Sequence, residues 1–159
     1  MPASFGPSVR AALGVAGWTP GRTVATEHWR RQLTAAGFEP DDAAVAVWAE
    51  FGGLTIRSSP ARRPGSSLHV DPVDACVDTA EEASTLRRHY AENHTPLGMW
   101  SSQFCCYRAA GGRVIAVGPN VVWHLGATFA EALTYIVDGD GGGSRAEPAD
   151  WLANCPTAG

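Results

Sequence analysis

The sequence predicts an α+β domain whose helices pack on one side of a mostly antiparallel sheet. The first half carries two amphipathic helical patterns, the segments after Gly53 alternate apolar and polar residues as strands do, and a last apolar helical pattern closes the domain. No internal repeat or linker divides the 159 residues. We therefore expect one domain over residues 1–143 and a weakly ordered tail over residues 144–159, from which Trp151 and Leu152 could dock back.

Four segments have the pattern of amphipathic helices. Residues 24–36 carry an apolar stripe and end before a glycine, and residues 40–51 form the clearest pattern, with two acidic residues in the first turn where the helix dipole favours them. The other two, residues 79–93 and the segment from residue 128 to residue 138, each begin with a threonine followed three residues later by glutamate, which is a capping-box pattern. These four helices flank the predicted strands.

Five segments have the pattern of strands. Residues 54–57 and 68–71 alternate in polarity and are expected to pair with each other. Three more, residues 103–108, 113–117 and 121–125, are separated by glycine-containing turns. Short turns between neighbouring strands predict an antiparallel meander.

Charge narrows the classes of partner. All twelve basic residues are arginine, which excludes a Schiff-base lysine and a phosphate-loop lysine. Sixteen acids against twelve arginines give a net charge of -4, which is opposite to what nucleic-acid binding favours. No segment reaches the about 18 consecutive apolar residues of a membrane span. We expect a protein partner with a basic surface, and neither nucleic acid nor membrane.

The cysteines do not form a recognisable framework. Cys76, Cys105, Cys106 and Cys155 lack the spacing of a disulfide scaffold, and residues 11–18 are too short and too glycine-broken for an export signal. We therefore expect reduced thiols and a cytoplasmic protein. Adjacent strand residues point to opposite faces, so Cys105 is expected to pack in the core and its neighbour to be partly exposed, or the reverse.

Potential metal ligands and nucleophiles do not match a known chemical pattern. Residues 69–78 contain histidine, aspartate and cysteine, but their spacing fits no metal site with a mechanism behind it. Residues 138–141 begin like a calcium loop, yet no bidentate glutamate follows. No serine lies in a strained nucleophile turn. We expect no metal, no cofactor and no enzymatic activity.

An acidic segment follows the second predicted strand. Its carboxylates are Asp71, Asp74, Asp78, Glu81 and Glu82, with no arginine among them. Acids at the start of a helix are favoured by its dipole, which explains part of the cluster. The functional hypothesis is that these residues contribute to the surface that binds a basic partner.

The stretch Trp18-Thr19-Pro20-Gly21-Arg22 predicts a type II turn, because proline suits its second position and glycine its third. The tryptophan would anchor the turn in the core, and Arg22 would bind carbonyl groups or a carboxylate. Together with a helix ending in Phe51-Gly52-Gly53-Leu54, this motif resembles the third immunity subgroup of the SUKH superfamily. Later pieces agree in order: residues 95–98, which include Pro96 and Gly98, the hairpin at residues 112–114, residues 131–133 and Gly139.

The resemblance covers roughly residues 9–139 and implies both a fold and a function. Members of the family are SUKH-like α+β proteins that serve as antidotes in bacterial polymorphic toxin systems, where they bind and block a toxin domain, often a nuclease or deaminase. The resemblance thus implies a cytoplasmic immunity protein whose motif residues shape the scaffold. These motif residues are Trp18, Pro20, Gly21, Arg22, Phe51, Gly52, Gly53, Leu54, Pro96 and Gly98. The alternatives are a regulatory or scaffolding protein-binding module and a small metal- or thiol-dependent enzyme.

Overall fold

A computed structural model describes residues 5–74, 79–139 and 145–154 of the chain. The helices are α1 (Pro7–Ala16), α2 (Glu27–Ala35), α3 (Asp42–Phe51), α4 (Ala80–Tyr90) and α5 (Phe129–Asp138), and Asp150–Asn154 forms a short 3-10 helix. The strands are β1 (Thr55–Arg57), β2 (Ser67–His69), β3 (His94–Trp100), β4 (Phe104–Ala109), β5 (Val114–Gly118), β6 (Val121–Gly126) and β7 (Ala146–Pro148). None of these helices has the length and apolar character needed to cross a membrane.

The seven strands form one sheet in the order of the chain, β1 to β7, and every neighbouring pair is antiparallel. This arrangement is the predicted meander, extended by β3 and β7. Two irregularities bend it: the β3–β4 register shifts between Pro96 and Gly98, and the β5–β6 register shifts between Val114 and Ile115. The predicted α+β class is confirmed.

Helices α1, α3 and α5 lie on one face of the sheet. The ring centroids of Tyr135 in α5 and Trp100 in β3 are 6.3 Å apart. Nη1 of Arg108 in β4 lies 3.6 Å from Oδ1 of Asp41, the N-cap of α3. The next residue back, Tyr107, points the other way and donates a hydrogen bond to Glu82 of α4. Helix α4 therefore covers the opposite face, which explains why the middle of β4 and β5 is buried on both sides. The expectation that the helices pack on one side of the sheet does not hold for α4, because alternate residues of β4 point to opposite faces and both faces carry buried side chains.

Helix α1 and strand β3 are absent from the sequence prediction. Helix α1 begins with Pro7 at its first position and is capped by Gly17, whose left-handed φ of 107° lets the N–H of Trp18 donate to the Leu13 carbonyl at 2.9 Å. It buries only two side chains, so its apolar stripe is short. Strand β3 contains Pro96, a residue that disfavours central strands, and the structure accommodates it at the register shift.

The end of the chain adds order that the sequence did not predict. Strand β7 pairs with β6 through Val122 and Glu147, and the ring of Trp151 stacks on His89 at 3.7 Å. Residues 146–148 and 150–154 thus form a strand and a short helix, and Trp151, one of the two residues expected to dock back, packs on α4. The contacts that order this segment come from α4 and β6, which lie more than twenty residues earlier in the chain.

The cysteines also differ from expectation. Cys105 is disulfide-bonded, so the expectation of reduced thiols is wrong at this position. Cys106 is a free thiol. Both side chains are buried, because helices cover both faces of the sheet here, and burial raises the pKa of the Cys106 thiol to about 12.

Candidate functional site

The turn at Trp18–Arg22 has the predicted geometry. The N–H of Arg22 donates to the carbonyl oxygen of Thr19 at 3.1 Å, and Gly21 has a φ of 83°. A positive φ at the third position of a four-residue turn defines type II, which glycine adopts without steric cost. The local sequence is therefore sufficient to account for this turn.

The same turn is joined to the end of α3 by three side-chain hydrogen bonds. Arg22 donates from Nη1 to the Glu50 carbonyl and from Nη2 to the Gly52 carbonyl, both at 2.8 Å. Trp18 Nε1 donates to Glu50 Oε2 at 3.0 Å. The last carbonyls of a helix have no partner within it, so the guanidinium satisfies acceptors that the helix leaves open. The prediction that Arg22 binds carbonyl groups is confirmed.

Beside this contact lies a groove with aromatic walls. The rings of Trp18 and Phe51 stack with their centroids 6.5 Å apart, Phe5 packs edge-on against both, and Phe129 lies 5.0 Å from Phe51. The groove has a volume of about 580 Å³, and Arg22 and the outer face of α3 line its other side. Residues treated as scaffold by sequence reasoning thus also form a concave surface, which we call the aromatic groove.

The glycines of the second motif allow close packing. A Cβ on Gly52 would lie 2.6 Å from the Trp29 ring and 2.4 Å from the Trp48 carbonyl oxygen, so no larger residue fits there. Gly53 follows with a φ of 83°, and Leu54 enters the core. This part of the motif determines how closely α2 and α3 approach each other.

Pro96 and Gly98 have structural roles in β3. The Pro96 carbonyl accepts a hydrogen bond from Trp48 Nε1 at 2.9 Å, which joins the sheet to α3. A Cβ on Gly98 would lie 1.9 Å from the His69 carbonyl oxygen. The glycine therefore permits close approach of the β2 backbone at the register shift.

Two of the predicted partner-binding carboxylates, Asp74 and Glu81, have exposed side chains. Asp71 has a local role: its Oδ1 accepts the backbone N–H groups of Val73 at 3.1 Å and Asp74 at 3.0 Å, so it organises the turn after β2. Asp78 lies outside the described residues.

Glu82 points towards the sheet. The Tyr107 hydroxyl donates to its Oε2 at 2.6 Å and lies 2.6 Å from Thr79 Oγ1. Burial raises the pKa of Glu82, and the hydrogen bond from Tyr107 partly opposes that rise. Burial and the neighbouring Glu82 raise the pKa of Tyr107 well above its usual value. Glu82 thus contributes to packing between α4 and β4 as well as to local charge.

A second buried titratable group lies nearby in β3. His94 Nδ1 lies 2.9 Å from the Glu92 carbonyl, which assigns the ring proton to Nδ1, while its Nε2 has no hydrogen-bond partner among the described residues. Burial lowers the pKa of His94. Within residues 5–74, 79–139 and 145–154, no three histidine, cysteine or acidic side chains are grouped closely enough to hold a metal ion.

Comparison with known proteins gives one match. The family model described as SUKH-3 immunity protein matches residues 5–139. The chain belongs to the SUKH-3 immunity protein family. No curated protein and no solved structure matches it. The match begins at Phe5 and ends at Gly139, so it includes every residue that carried the resemblance.

Strand β7 and the 3-10 helix lie beyond the residues that the SUKH-3 family model matches. Two concave surfaces inside the matched region were missed by sequence reasoning. The aromatic groove needs Phe5 and Phe129, which are 124 residues apart in the sequence, so no local sequence pattern indicates it. The other surface lies on the loop between β1 and β2, where residues 57–67 hold three arginines, four serines and no acid. An arginine- and serine-rich loop without acids is a pattern from which a positively charged surface could have been predicted.

Proposed function

We propose that this protein is an antidote that binds and neutralises a cognate toxin domain in the bacterial cytoplasm, as part of a polymorphic toxin system. The observation that carries the proposal is the SUKH-3 family match over residues 5–139. The protein acts by covering a surface of the toxin and carries out no chemistry itself.

We further propose that the toxin is a nuclease or a deaminase. Enzymes that process nucleic acids attract phosphates with cationic clefts, and a protein with a net charge of -4 is electrostatically suited to occupy such a cleft. The exposed Asp74 and Glu81, with Asp78 between them in the sequence, are the carboxylates proposed to face the basic surface of the toxin. Asp71 and Glu82 support the turn and the helix that present them.

The test is a binding and inhibition assay with the toxin domain encoded by the adjacent reading frame. The wild-type protein should form a stable complex and abolish toxin activity at equimolar concentration. If the toxin does not bind and another endogenous protein co-purifies, the regulatory alternative replaces the proposal. Turnover of a small molecule or nucleic acid by the isolated chain, lost on changing one polar side chain, would support an enzyme instead.

A double charge reversal tests the acidic surface. Asp74→Arg with Glu81→Arg should weaken toxin binding and reduce its salt dependence, because long-range attraction between exposed charges is screened by salt. The matched control is Glu27→Arg with Asp138→Arg, which changes the net charge equally at exposed positions on other helices. Equal affinity for both double variants would reject the acidic surface while leaving the antidote role intact.

A further inference from the structure

A cleft lined by arginine and serine lies at the tip of the β1–β2 hairpin. It has a volume of about 500 Å³, and its lining includes Arg57, Ser58, Ser59, Arg63 and Ser66, with no carboxylate. We call it the Arg–Ser cleft. Arg57 and Arg63 are exposed and form no ion pair within the described part of the chain. In a protein of net charge -4, this is a local concentration of positive charge.

The serine hydroxyls of this cleft are oriented as donors. Ser58 Oγ accepts the backbone N–H of Ser66 at 2.9 Å, Ser59 Oγ accepts that of Ala61 at 3.2 Å, and Ser66 Oγ accepts Trp100 Nε1 at 2.7 Å. A hydroxyl that accepts a bond from the protein still has its own hydrogen to donate, and none of these three donates to a described residue. The cleft therefore presents hydroxyl and guanidinium donors together, which suits a ligand that only accepts hydrogen bonds.

The loop that carries these donors is held in place before any ligand binds. Arg62 donates from Nε to the Tyr135 carbonyl at 3.0 Å and places its guanidinium 4.9 Å from the centre of the Tyr135 ring. The backbone N–H of Ser59 donates to the Val137 carbonyl at 2.8 Å. Both contacts join the loop to α5, so binding needs little further ordering of the chain.

An apolar cleft of about 380 Å³ shares Arg57 and Ser58 with the Arg–Ser cleft. Its other wall is the outer face of α1, with Ala11, Ala12 and Val15. Val15 is 87% exposed, the only large hydrophobic side chain of the described residues with such exposure. An exposed apolar side chain next to arginines without ion pairs is typical of a surface that binds a polypeptide. A nucleic acid would contact the arginines but would leave the apolar cleft uncovered.

We propose that these two joined clefts bind an acidic and apolar segment of the partner protein, with its carboxylates on Arg57, Arg63 and the serine hydroxyls and its apolar side chains against Val15. The inference rests on the proposed function only in naming the toxin as the partner. Arg57 pairs with Ser67 at the tip of the hairpin, whereas Asp71 follows the opposite end of β2, so this surface is separate from Asp74 and Glu81. The toxin would then be bound at a basic surface and at an acidic segment.

The first experiment measures affinity for the toxin domain from the adjacent reading frame by calorimetry. Arg57→Glu with Arg63→Glu should weaken binding by about 100-fold or more, because repulsion replaces attraction at a donor-lined cleft. Val15→Ser should weaken it by about 5- to 10-fold by removing apolar contact. The control Arg31→Glu with Arg88→Glu makes the same charge change on exposed positions of α2 and α4 and should stay within about 3-fold of the wild type.

The second experiment works without the toxin. A labelled octapeptide that alternates leucine with glutamate should bind the wild-type chain at least about ten times more tightly than the same peptide with glutamine, and the double variant should lose this preference. Equal binding of the two peptides overturns the inference, whether or not the toxin binds. If the toxin does not bind but the glutamate peptide is preferred, the antidote role fails and the cleft stands. The last comparison uses a labelled single-stranded 20-nucleotide DNA or RNA. If it binds more tightly than the glutamate peptide, and if the double variant loses this binding, the ligand of the cleft is a nucleic acid and not a peptide.

Discussion

Replacing Arg22 by alanine removes both hydrogen bonds that join the type II turn to the end of α3. A hydrogen bond that involves a charged group contributes about 1.5–3 kcal/mol to stability, and the partial exposure of this contact favours the low end. Two bonds at 2.8 Å therefore predict a loss of about 3 kcal/mol in the free energy of unfolding. For a chain of this length, that loss corresponds to a fall in Tm of about 6–12 °C.

Urea unfolding followed by tryptophan fluorescence measures this effect, provided that the dependence on denaturant is unchanged. Arg22→Lys should lose about half as much, because an ammonium group keeps the charge but cannot reproduce the planar two-donor geometry. Arg31→Ala is the control, since Arg31 is exposed on α2 and its loss should cost less than about 0.5 kcal/mol. If Arg22→Ala costs no more than Arg31→Ala, or if Arg22→Lys matches the wild type, the two hydrogen bonds of Arg22 do not stabilise the fold.

Four further substitutions test other parts of the structure. Gly98→Ala should lower the free energy of unfolding by more than about 3 kcal/mol or prevent folding, because its Cβ would lie 1.9 Å from the His69 carbonyl oxygen. Gly14→Ala is the control: it has open space in α1 and should stabilise the protein by about 0.5–1 kcal/mol in the same denaturation assay. Burial lowers the pKa of His94 below 6.5, so the unfolded chain binds this proton at a higher pH than the folded chain does. The stability of the wild type should therefore fall as the pH drops below about 6.5. The unfolding midpoint of His94→Gln should fall less over the same pH range, and an identical pH profile would contradict this prediction. Burial raises the pKa of Glu82 above 4.5, so the folded state holds that proton more tightly than the unfolded state does. Stability should therefore decrease as the pH rises above 4.5. Glu82→Gln can still accept the hydrogen bond from the Tyr107 hydroxyl, and it should remove this decrease between pH about 4 and 7.

Several elements could be predicted because their signals are local. Asp41 accepts the N–H of Ala44 at 2.7 Å and begins α3, and Thr128 accepts that of Glu131 at 3.1 Å and begins α5. A capping side chain and the group that it binds are three residues apart, so the pattern is visible in the sequence. The same holds for the glycine turns that separate β4, β5 and β6. The capping-box pattern at Thr79 does not form a side-chain cap on α4, because Thr79 and Glu82 are engaged by the Tyr107 hydroxyl. Helix α1 was missed because only Val9 and Leu13 of its residues are buried, which is too few for a periodic signal.

The candidate surfaces depend on residues that are distant in the chain. The carboxylate of Glu82 was expected at the surface, but Tyr107, twenty-five residues later, binds it between helix and sheet. Cys105 was expected to be a thiol but is disulfide-bonded, which the spacing of the cysteines in the sequence does not reveal. In both cases the side chain's surroundings, and not its neighbours in the sequence, determine its state.

The fold class, the type II turn, the cap of α5 and membership of the family can all be predicted from the chain, because each depends on residue types at short, regular spacing. Which side chains meet depends on tertiary packing: Phe5 lies with Phe129 around the aromatic groove, and Val15 of α1 lies beside Arg57 of the β1–β2 hairpin. Burial and charge at a surface are properties of packing between segments far apart in the chain. A binding surface therefore becomes visible only after the helices have been placed on the sheet.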